Sequence, residues 1–205
     1  MRALANLGVF EPFFFTREIK LSLSPFIKAM HPKSEIKAHK DAIERILQQG
    51  WWGQPKIHGH RAQIHLASDT QPDVLVYTRK GGLHKKPMPA AMANELYRLL
   101  GPQKGYTVLD AEWVKKTDKL YLFDILKREG QLLQGYTYAE RYAILPQVYK
   151  SELIETLPVI KTAAKCLKLL ASNDPMIEGL VFKSSTSKGF SDTSVIRCRK
   201  KTSPY

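Results

Sequence analysis

The sequence predicts an α+β fold in which antiparallel β-sheets are flanked by helices. Segments with the alternating pattern of strands outnumber those with helical periodicity, and most of them follow one another through short turns. With 205 residues and no internal repeat, the chain has a length typical of one sizeable core. We therefore expect a single domain over 1–205, in which residues 1–38, interrupted by prolines, form an irregular N-terminal segment.

The first half of the chain contains two predicted helices and two predicted strands. Apolar residues share one face of residues 39–49, which precede a glycine that ends this helix. Alternation of apolar and polar residues predicts a half-buried strand over 62–66 and a neighbouring strand over 74–78. A second helix is expected to begin at Pro89 and to end at Gly101.

The second half begins with two strands, predicted over 107–115 and 119–126 and joined by a tight polar turn. Thr137 and Glu140 have the spacing of a capping box, which predicts a helix to about Leu145. The remaining predicted elements are a helix near 159–171 that buries Ala163, Leu167 and Leu170, a strand over 177–183, and a strand over 194–200.

The charge of the chain predicts a polyanionic partner. Its 32 lysines and arginines exceed its 19 acidic residues, so the net charge is +13 at pH 7. This excess favours nucleic acid, because cationic side chains bind phosphates and release counterions. No apolar run approaches the ~20 residues that cross a bilayer, and no secretory signal is visible, so we expect no membrane partner. The two cysteines lack zinc-site spacing and favour a reducing, cytoplasmic location, with a phage or organellar origin left open.

The most informative segment is residues 54–61, in which Lys56 is followed by Ile-His-Gly-His-Arg. A lysine amine is a nucleophile for phosphoryl groups once it is deprotonated. Gly59 allows the backbone to turn close to a nucleotide, and Arg61 offers a planar fork for phosphate or sugar oxygens. Alone, the pattern also fits a surface lysine beside a turn.

Five further segments follow in order: Thr-Arg-Lys-Gly at 78–81, Leu-Asp-Ala-Glu at 109–112, Tyr-Leu-Phe-Asp-Ile-Leu at 121–126, Glu-Gly-Leu-Val-Phe-Lys at 178–183, and Ile-Arg-Cys-Arg-Lys at 196–200. Together with residues 54–61, they resemble the nucleotidyltransferase motifs of ATP-dependent polynucleotide ligases, which join DNA or RNA. The resemblance spans residues 51–201 and implies the adenylation domain of ligases. It also implies ATP as the cofactor, AMP carried covalently on Lys56, Mg²⁺ or Mn²⁺ as the metal ion, and nicked duplex nucleic acid as the partner.

The resemblance further implies roles for single residues. Glu112 and Glu178 occupy acidic positions that serve the ribose and the divalent ion, and carboxylates suit Mg²⁺. Phe123 is expected to stack on the adenine, with core packing as the alternative. Asp124 is either a structural hydrogen-bond acceptor or an active-site group, and Arg79 is expected near the 5′-phosphate of the nick.

The implied site is larger than these residues. The implied catalytic residues are Lys56, Arg61, Glu112, Glu178, Arg197 and Arg199. The implied nucleotide pocket consists of Gln54, Pro55, Lys56, Ile57, Arg61, Glu112, Phe123, Lys183, Arg197 and Arg199. The implied metal ligands are Glu112 and Glu178, and the implied contacts to nucleic-acid phosphate are Arg79, Lys80 and Lys183. Alternation along the last strand directs Arg197 and Arg199 towards one phosphate, with Arg199 and Lys201 as the alternative register.

Three departures from the ligase pattern bear on the substrate. His58 replaces the aspartate of DNA ligases and capping enzymes, as in the phage and mitochondrial-editing type of RNA ligase, whereas Arg61 and residues 78–81 look more like a DNA ligase. Gln54 stands where many ligases have a glutamate. The chain stops at Tyr205, so we expect no OB-fold, and either this domain works alone or a partner chain supplies the missing C-terminal domain.

The sequence therefore predicts an ATP-dependent DNA ligase that seals 3′-OH/5′-phosphate nicks in duplex nucleic acid through a lysyl-AMP intermediate. An RNA ligase of the phage or mitochondrial-editing type, with the same chemistry, is the alternative. A capping guanylyltransferase is a poorer match to residues 121–145. The non-enzyme alternative is a nucleic-acid-binding relic of the same fold.

Overall fold

The computed structural model describes residues 25–67, 74–101 and 104–200. The elements in these ranges are β1 (Ser34–Glu35), α1 (Lys40–Gln48), β2 (Trp51–Ile57), β3 (His60–Leu66), β4 (Val74–Thr78), α2 (Ala90–Leu100), β5 (Thr107–Val114), β6 (Lys119–Arg128), β7 (Gln131–Leu132), α3 (Tyr138–Ile144), β8 (Ile154–Thr156), α4 (Ala163–Leu170), β9 (Ile177–Ser184) and β10 (Val195–Arg199). Two short 3₁₀ turns lie at Leu133–Gly135 and Asp192–Ser194.

The strands form two sheets. Sheet A has four strands in the order β1-β10-β9-β2. Sheet B has the order β4-β3-β5-β6-β7, and β8 pairs with β6 as its sixth strand. The pairings are antiparallel except for β1 with β10 and β6 with β8, which are parallel. The predicted α+β class, with antiparallel sheets flanked by helices, is confirmed.

Each sheet buries one face under its own pair of helices. Helices α2 and α3 pack on sheet B, where Leu96 and Tyr138 join the largest hydrophobic cluster. Helices α1 and α4 pack on sheet A, where Ile43 and Cys166 meet Phe182. Burial of such apolar side chains contributes on the order of 1.5–3 kcal/mol each, so each sheet has its own stabilising core.

Most of the periodic elements lie within a few residues of their predicted positions. The helix predicted over 39–49 is α1, and the strand predicted over 74–78 is β4. Thr137 and Glu140 form the complete capping box, because the Thr137 side chain accepts from the Glu140 amide and the Glu140 side chain accepts from the Thr137 amide. The box fixes the start of α3.

The prediction for helix α4 was wrong at its start, whereas the face predicted to be buried does pack on the core of sheet A. The helix begins at Ala163 and not near 159, because Ile160 is extended and exchanges two backbone hydrogen bonds with Gly53, at 2.9 and 2.7 Å. The fully buried residue is Cys166. The residues predicted to be buried, Ala163, Leu167 and Leu170, are half-buried around it.

Strand β2, which carries Lys56, has no counterpart among the predicted strands. Its sequence contains Gly53 and Pro55, both unfavourable in strands, and it does not alternate. The strand tolerates Pro55 because β2 is an edge of sheet A: among the described strands it pairs with β9, and on its other side it makes one isolated bridge, at Gly53. The Lys56 motif is therefore a strand because it pairs with β9, and not because of a local sequence pattern.

The N-terminal segment contains one short strand that was not predicted. Residues 1–24 lie outside the described residues, and residues 25–33 have no regular structure, as expected. Ser34 and Glu35, however, form the two-residue strand β1 beside β10, and residues 36–39 again have no regular structure. No helix within the described ranges has the length and apolar character that a membrane span requires.

Candidate active site

A cavity of about 310 Å³ lies between the two sheets. Strands β2 and β9 line it from sheet A, and β3, β5 and β6 line it from sheet B. Eight of the ten residues predicted for the nucleotide pocket are in its wall: Gln54, Pro55, Lys56, Ile57, Arg61, Glu112, Phe123 and Lys183. Segments that are far apart in the sequence therefore converge on one cavity.

Lys56 is paired with a carboxylate across the sheet. It lies opposite Gly179 in the β2–β9 ladder, and its Nζ donates a hydrogen bond to Oε2 of Glu178. The other oxygen of Glu178 lies 2.5 Å from Nδ1 of His58. Burial raises the pKa of Glu178, but Lys56 and His58 outweigh burial and lower it. Glu178 is thus an ionised partner of Lys56, and His58 helps to hold it.

Glu112 is the second carboxylate near Lys56. It lies on β5 opposite Arg61 of β3. Burial raises the pKa of Glu112 to about 7, although Lys56 and Arg61 act in the opposite direction. Gly59 permits this arrangement, because a Cβ atom there would lie 3.0 Å from the Glu112 side chain and 3.0 Å from the Trp113 carbonyl oxygen. Glu112 can therefore change its protonation state near neutral pH.

Arg61 is held by partners that the sequence analysis did not single out. Its guanidinium forks onto Asp110, with an Nε–Oδ1 distance of 2.9 Å, and its Nη1 donates to the Met30 carbonyl oxygen at 2.8 Å. Asp110 is buried and lines the cavity. Strand alternation carried a signal for Asp110, because it lies two residues before Glu112 on the same face of β5.

Lys183 and Phe123 lie together in the cavity wall. The Lys183 Nζ is 4.4 Å from the centre of the Phe123 ring and 4.6 Å from the centre of the Tyr138 ring, and it donates to the Phe123 carbonyl oxygen at 3.1 Å. Burial lowers the pKa of Lys183 to about 8. The negative charges of Asp124 and Asp110 act in the opposite direction but do not outweigh burial. The wall therefore combines an aromatic face with a buried amine.

Asp124 is a structural acceptor. Its two oxygens accept from Arg141 Nε and Nη2 at 3.0 and 3.1 Å, and one of them also accepts from the Ile125 amide at 2.9 Å. Both Asp124 and Arg141 are buried. Of the two roles that the sequence left open for Asp124, this geometry corresponds to the structural one, and it ties α3 to β6.

Gln54 presents an unpaired acceptor in the cavity wall. Its side-chain nitrogen donates to the Leu157 carbonyl oxygen at 3.2 Å. Its Oε1 is buried and has no hydrogen-bond partner among the described residues. A buried acceptor without a partner is costly, so this atom favours a ligand that donates a hydrogen bond.

The predicted basic residues are split between the cavity and the surface around it. Arg79 lines the cavity, whereas Lys80 is exposed outside it. Arg197 and Arg199 share one face of β10, as alternation predicts, but they do not line the cavity. Both contact Glu35 of β1, at 2.8 Å from Arg197 Nε and 3.4 Å from Arg199 Nη2. The anion between these two arginines is therefore a carboxylate of the protein.

A family model described as RNA ligase matches residues 49–201. The chain belongs to the RNA ligase family. The match includes β2 to β10 and hence every strand that lines the cavity. No curated protein matches the sequence at a significant level.

Solved structures that share the fold are ligases of similar architecture. One is a mycobacterial DNA ligase D complexed with ATP and MES, which is 17% identical with a TM-score of 0.53, over 73% of this chain and 54% of that one. The ligase domain of LigD from M. tuberculosis is 18% identical with a TM-score of 0.53, over 73% and 53% of the two chains. A structure called Pmar-Lig_Pre is 17% identical with a TM-score of 0.56, over 84% and 46%. This member of the RNA ligase family thus spans about half the length of these structures.

Two carboxylates of this RNA ligase family member, Glu112 and Glu178, are candidate ligands for a divalent ion that also binds substrate. Among the described residues, no group of three or more histidine, cysteine, aspartate or glutamate side chains could hold a metal ion by itself. Lys56 contacts Glu178, and both residues act electrostatically on Glu112, so the two carboxylates lie near each other. Mg²⁺ is commonly held by one or two carboxylates together with substrate phosphates, and these two residues are such a pair.

Proposed function

We propose that this chain is an ATP-dependent polynucleotide ligase in which Lys56 carries AMP. The position of Lys56 is the main support: it lies in the wall of a cavity of about 310 Å³ and contacts Glu178. Ligand pockets commonly measure roughly 300–1,000 Å³. Membership of the RNA ligase family supports the same function.

The cavity favours adenine over guanine. The free Oε1 of Gln54 accepts hydrogen bonds, and the exocyclic amine of adenine donates one. Guanine has a carbonyl oxygen at the same ring position, which would face the Gln54 acceptor without a proton between them. The Phe123 ring in the same wall offers a face for stacking on the base. We therefore assign adenine to the side of the cavity formed by Gln54 and Phe123.

The first step joins the nitrogen of Lys56 to the α-phosphorus of ATP. One ammonium proton leaves Lys56 for solvent before attack, and Glu178, which accepts a hydrogen bond from Lys56, orients the amine. As the P–N bond forms, the bond from the α-phosphorus to the β-phosphate oxygen breaks. Pyrophosphate leaves with that electron pair and takes up the second amine proton. Lys183 lies in the same wall and stabilises negative charge on the α-phosphate.

Glu112 and Glu178 would hold a divalent ion, which supplies charge neutralisation to the phosphates when it is bound. Two features of the chain set the position and the charge of these carboxylates. His58 and Lys56 hold Glu178, and the burial of Glu112 makes its charge depend on pH.

The later steps transfer AMP to nucleic acid and seal it. AMP passes from Lys56 to the 5′-phosphate of a nick, and the 3′-OH then attacks that phosphate and displaces AMP. The net charge of +13 and the exposed Arg79 and Lys80 support a polyanionic substrate. The fold shared with DNA ligase D supports nicked duplex DNA as the first candidate. Because the reaction consumes ATP, we place the protein inside the cell, in the cytoplasm.

RNA joining is the second candidate. The matched family model is that of RNA ligase, and His58 stands in the lysine motif where DNA ligases have an aspartate. His58 contacts Glu178, and Glu178 contacts Lys56. The histidine that replaces the aspartate therefore lies beside the proposed nucleophile. Both candidates share the chemistry of Lys56 and differ in the strand that is sealed.

Retention of label from α-labelled ATP on the denatured protein tests the proposal. We expect labelling of the wild type with ATP, much less with GTP, and none in Lys56→Ala. Lys116→Ala is the matched control, because Lys116 is exposed in the turn between β5 and β6 and its loss removes the same charge. Labelling of Lys56→Ala would move the nucleophile elsewhere, and a wild type without label would leave only a nucleic-acid-binding role.

A further inference from the structure

Residues 25–33 form a segment without regular structure that is fixed to sheet B; we call it the strap. Ile27 and the Gln63 side chain exchange two hydrogen bonds, at 2.8 and 2.7 Å. The carbonyl oxygen of Met30 accepts from Arg61, and the Met30 side chain is buried in the core of sheet B. These contacts hold the strap against β3.

The other end of the strap is fixed near β10. Both oxygens of Asp192 are engaged: Oδ1 accepts from the His31 amide at 2.8 Å, and Oδ2 pairs with Lys33 at 2.8 Å. Near the first end, the Phe26 ring lies 6.0 Å from the Tyr77 ring. The strap is thus anchored to β3 and β4 on one side and to the loop before β10 on the other.

A second pocket of about 270 Å³ lies between the strap and strands β3 and β4. Lys28, His31 and Lys33 of the strap line it, together with Arg61, Arg79 and Asp192. His31, Arg61 and Arg79 also line the main cavity, so the two spaces adjoin along these three residues. Lys56 lines the main cavity and not the second pocket.

This strap pocket has an excess of positive charge. Asp110 neutralises Arg61, and Asp192 neutralises Lys33. Within the described ranges, neither Lys28 nor Arg79 has a carboxylate oxygen within 4 Å. Two cations without such a partner line a pocket that the strap encloses on one side, and this arrangement favours a compact anion.

We propose that the strap pocket binds the pyrophosphate end of ATP, that is, its β- and γ-phosphates. The inference rests on the proposed function, because it extends from the α-phosphate at Lys56. In phosphoryl transfer the attacking and leaving groups lie roughly in line. The leaving pyrophosphate must therefore point away from Lys56, and the strap pocket adjoins the main cavity without including Lys56. A space of about 270 Å³ under the strap suits a pyrophosphate group better than a duplex.

Binding of inorganic pyrophosphate by calorimetry, with no ATP present, tests this assignment directly. The variants are Lys28→Ala and Lys28→Glu, and the matched controls are Lys116→Ala and Lys116→Glu, which change the net charge equally. Lys28 is exposed, so its replacement leaves the core intact. We expect Lys28→Ala to weaken pyrophosphate binding by roughly fivefold, the size of one exposed charge contact. Lys28→Glu should weaken pyrophosphate binding further. Each Lys116 control should change the pyrophosphate affinity much less than the Lys28 variant of the same charge.

A second measurement separates pyrophosphate from nucleic-acid phosphate. The same variants are titrated with a nicked duplex, and the affinity should match that of their Lys116 controls. Weaker duplex binding with unchanged pyrophosphate binding would assign the pocket to nucleic acid and overturn the proposal. Equal effects at Lys28 and Lys116 would also overturn it. If the wild type binds pyrophosphate through Lys28 but takes up no AMP from labelled ATP, the proposed function fails while pyrophosphate binding by the strap pocket stands.

Discussion

At the scale of single residues, the site is governed by two carboxylates in different states. Glu178 is held ionised by Lys56 and His58, whereas burial raises the pKa of Glu112 to about 7. Environments that push two acids apart in pKa are typical of sites that divide acid–base work between them. Glu178 thus contacts the Lys56 amine in its ionised form, whereas the charge of Glu112 changes near neutral pH.

The pKa of Glu112 predicts how adenylylation depends on pH. The ionised form is the one that would hold a divalent ion, so at a limiting Mg²⁺ concentration the rate of lysyl-AMP formation should fall as pH decreases through about 7. We expect Glu112→Gln to lower this rate by about 10²–10³-fold and to remove that inflection. Single-turnover labelling between pH 5.5 and 8.5 measures both. An unchanged inflection in the variant would assign the titration to another group.

The same group makes a prediction for stability that does not depend on activity. The pKa of Glu112 is raised in the folded protein, so its contribution to the free energy of unfolding is present below the unfolded value, near 4.5, and is lost as pH rises through about 7. Relative to Glu112→Gln, the wild type should lose about 3 kcal/mol between pH 4.5 and 7.5. Urea unfolding of both proteins across this range measures the difference, and parallel curves would contradict it.

At the scale of elements, periodicity predicted the regular parts of the fold and missed those set by distant partners. Strand β4, helix α1 and the capping box of α3 follow from local patterns. Strand β2 was missed because Pro55 is tolerated only at the edge of a sheet, which the sequence does not reveal. Helix α4 starts late because Ile160 pairs with Gly53, about a hundred residues away.

The same distinction applies to the candidate site. Strand alternation placed Arg197 and Arg199 on one face, but their partner Glu35 is 162 residues from Arg197 and was not predictable. The strap was missed entirely, because its anchors, Gln63 and Asp192, belong to elements far along the chain.

The buried pair between α3 and β6 gives a prediction at this scale. Arg141→Met leaves the buried Asp124 without its bidentate partner, which typically costs about 3–5 kcal/mol. Lys183 remains near Asp124, so we expect the lower end, about 3 kcal/mol. Urea unfolding of Arg141→Met beside Arg98→Met, an exposed arginine of α2, measures it. Equal stability of the two variants would mean that the pair does not fix α3.

At the scale of the whole molecule, the net charge of +13 predicts salt-dependent binding of nucleic acid. Affinity for a nicked duplex should decrease linearly in log K against log[salt], with a slope of about −0.9 for each phosphate contacted. Removing one contact with Lys80→Ala, an exposed lysine outside both pockets, should reduce the slope by about 1, whereas Lys116→Ala should leave it unchanged. A flat salt response would mean that the basic surface serves another purpose.

The last prediction concerns the choice of strand. The exposed Arg79 and Lys80 and the cavity around Lys56 and Lys183 present cations to phosphates, which carry no base sequence. DNA and RNA share these phosphates and differ in the 2′-OH and in the shape of the helix. We therefore expect sealing of nicked duplexes regardless of sequence, with DNA accepted on the 5′-phosphate side, RNA tolerated in one strand, and little joining of unpaired strands. Parallel assays of all-DNA, mixed and all-RNA nicks and of free single strands decide the matter. Efficient joining of single-stranded RNA, with nicked DNA unsealed, would make RNA the substrate. His58 would then be the residue that identified it, and the step at Lys56 would be unchanged.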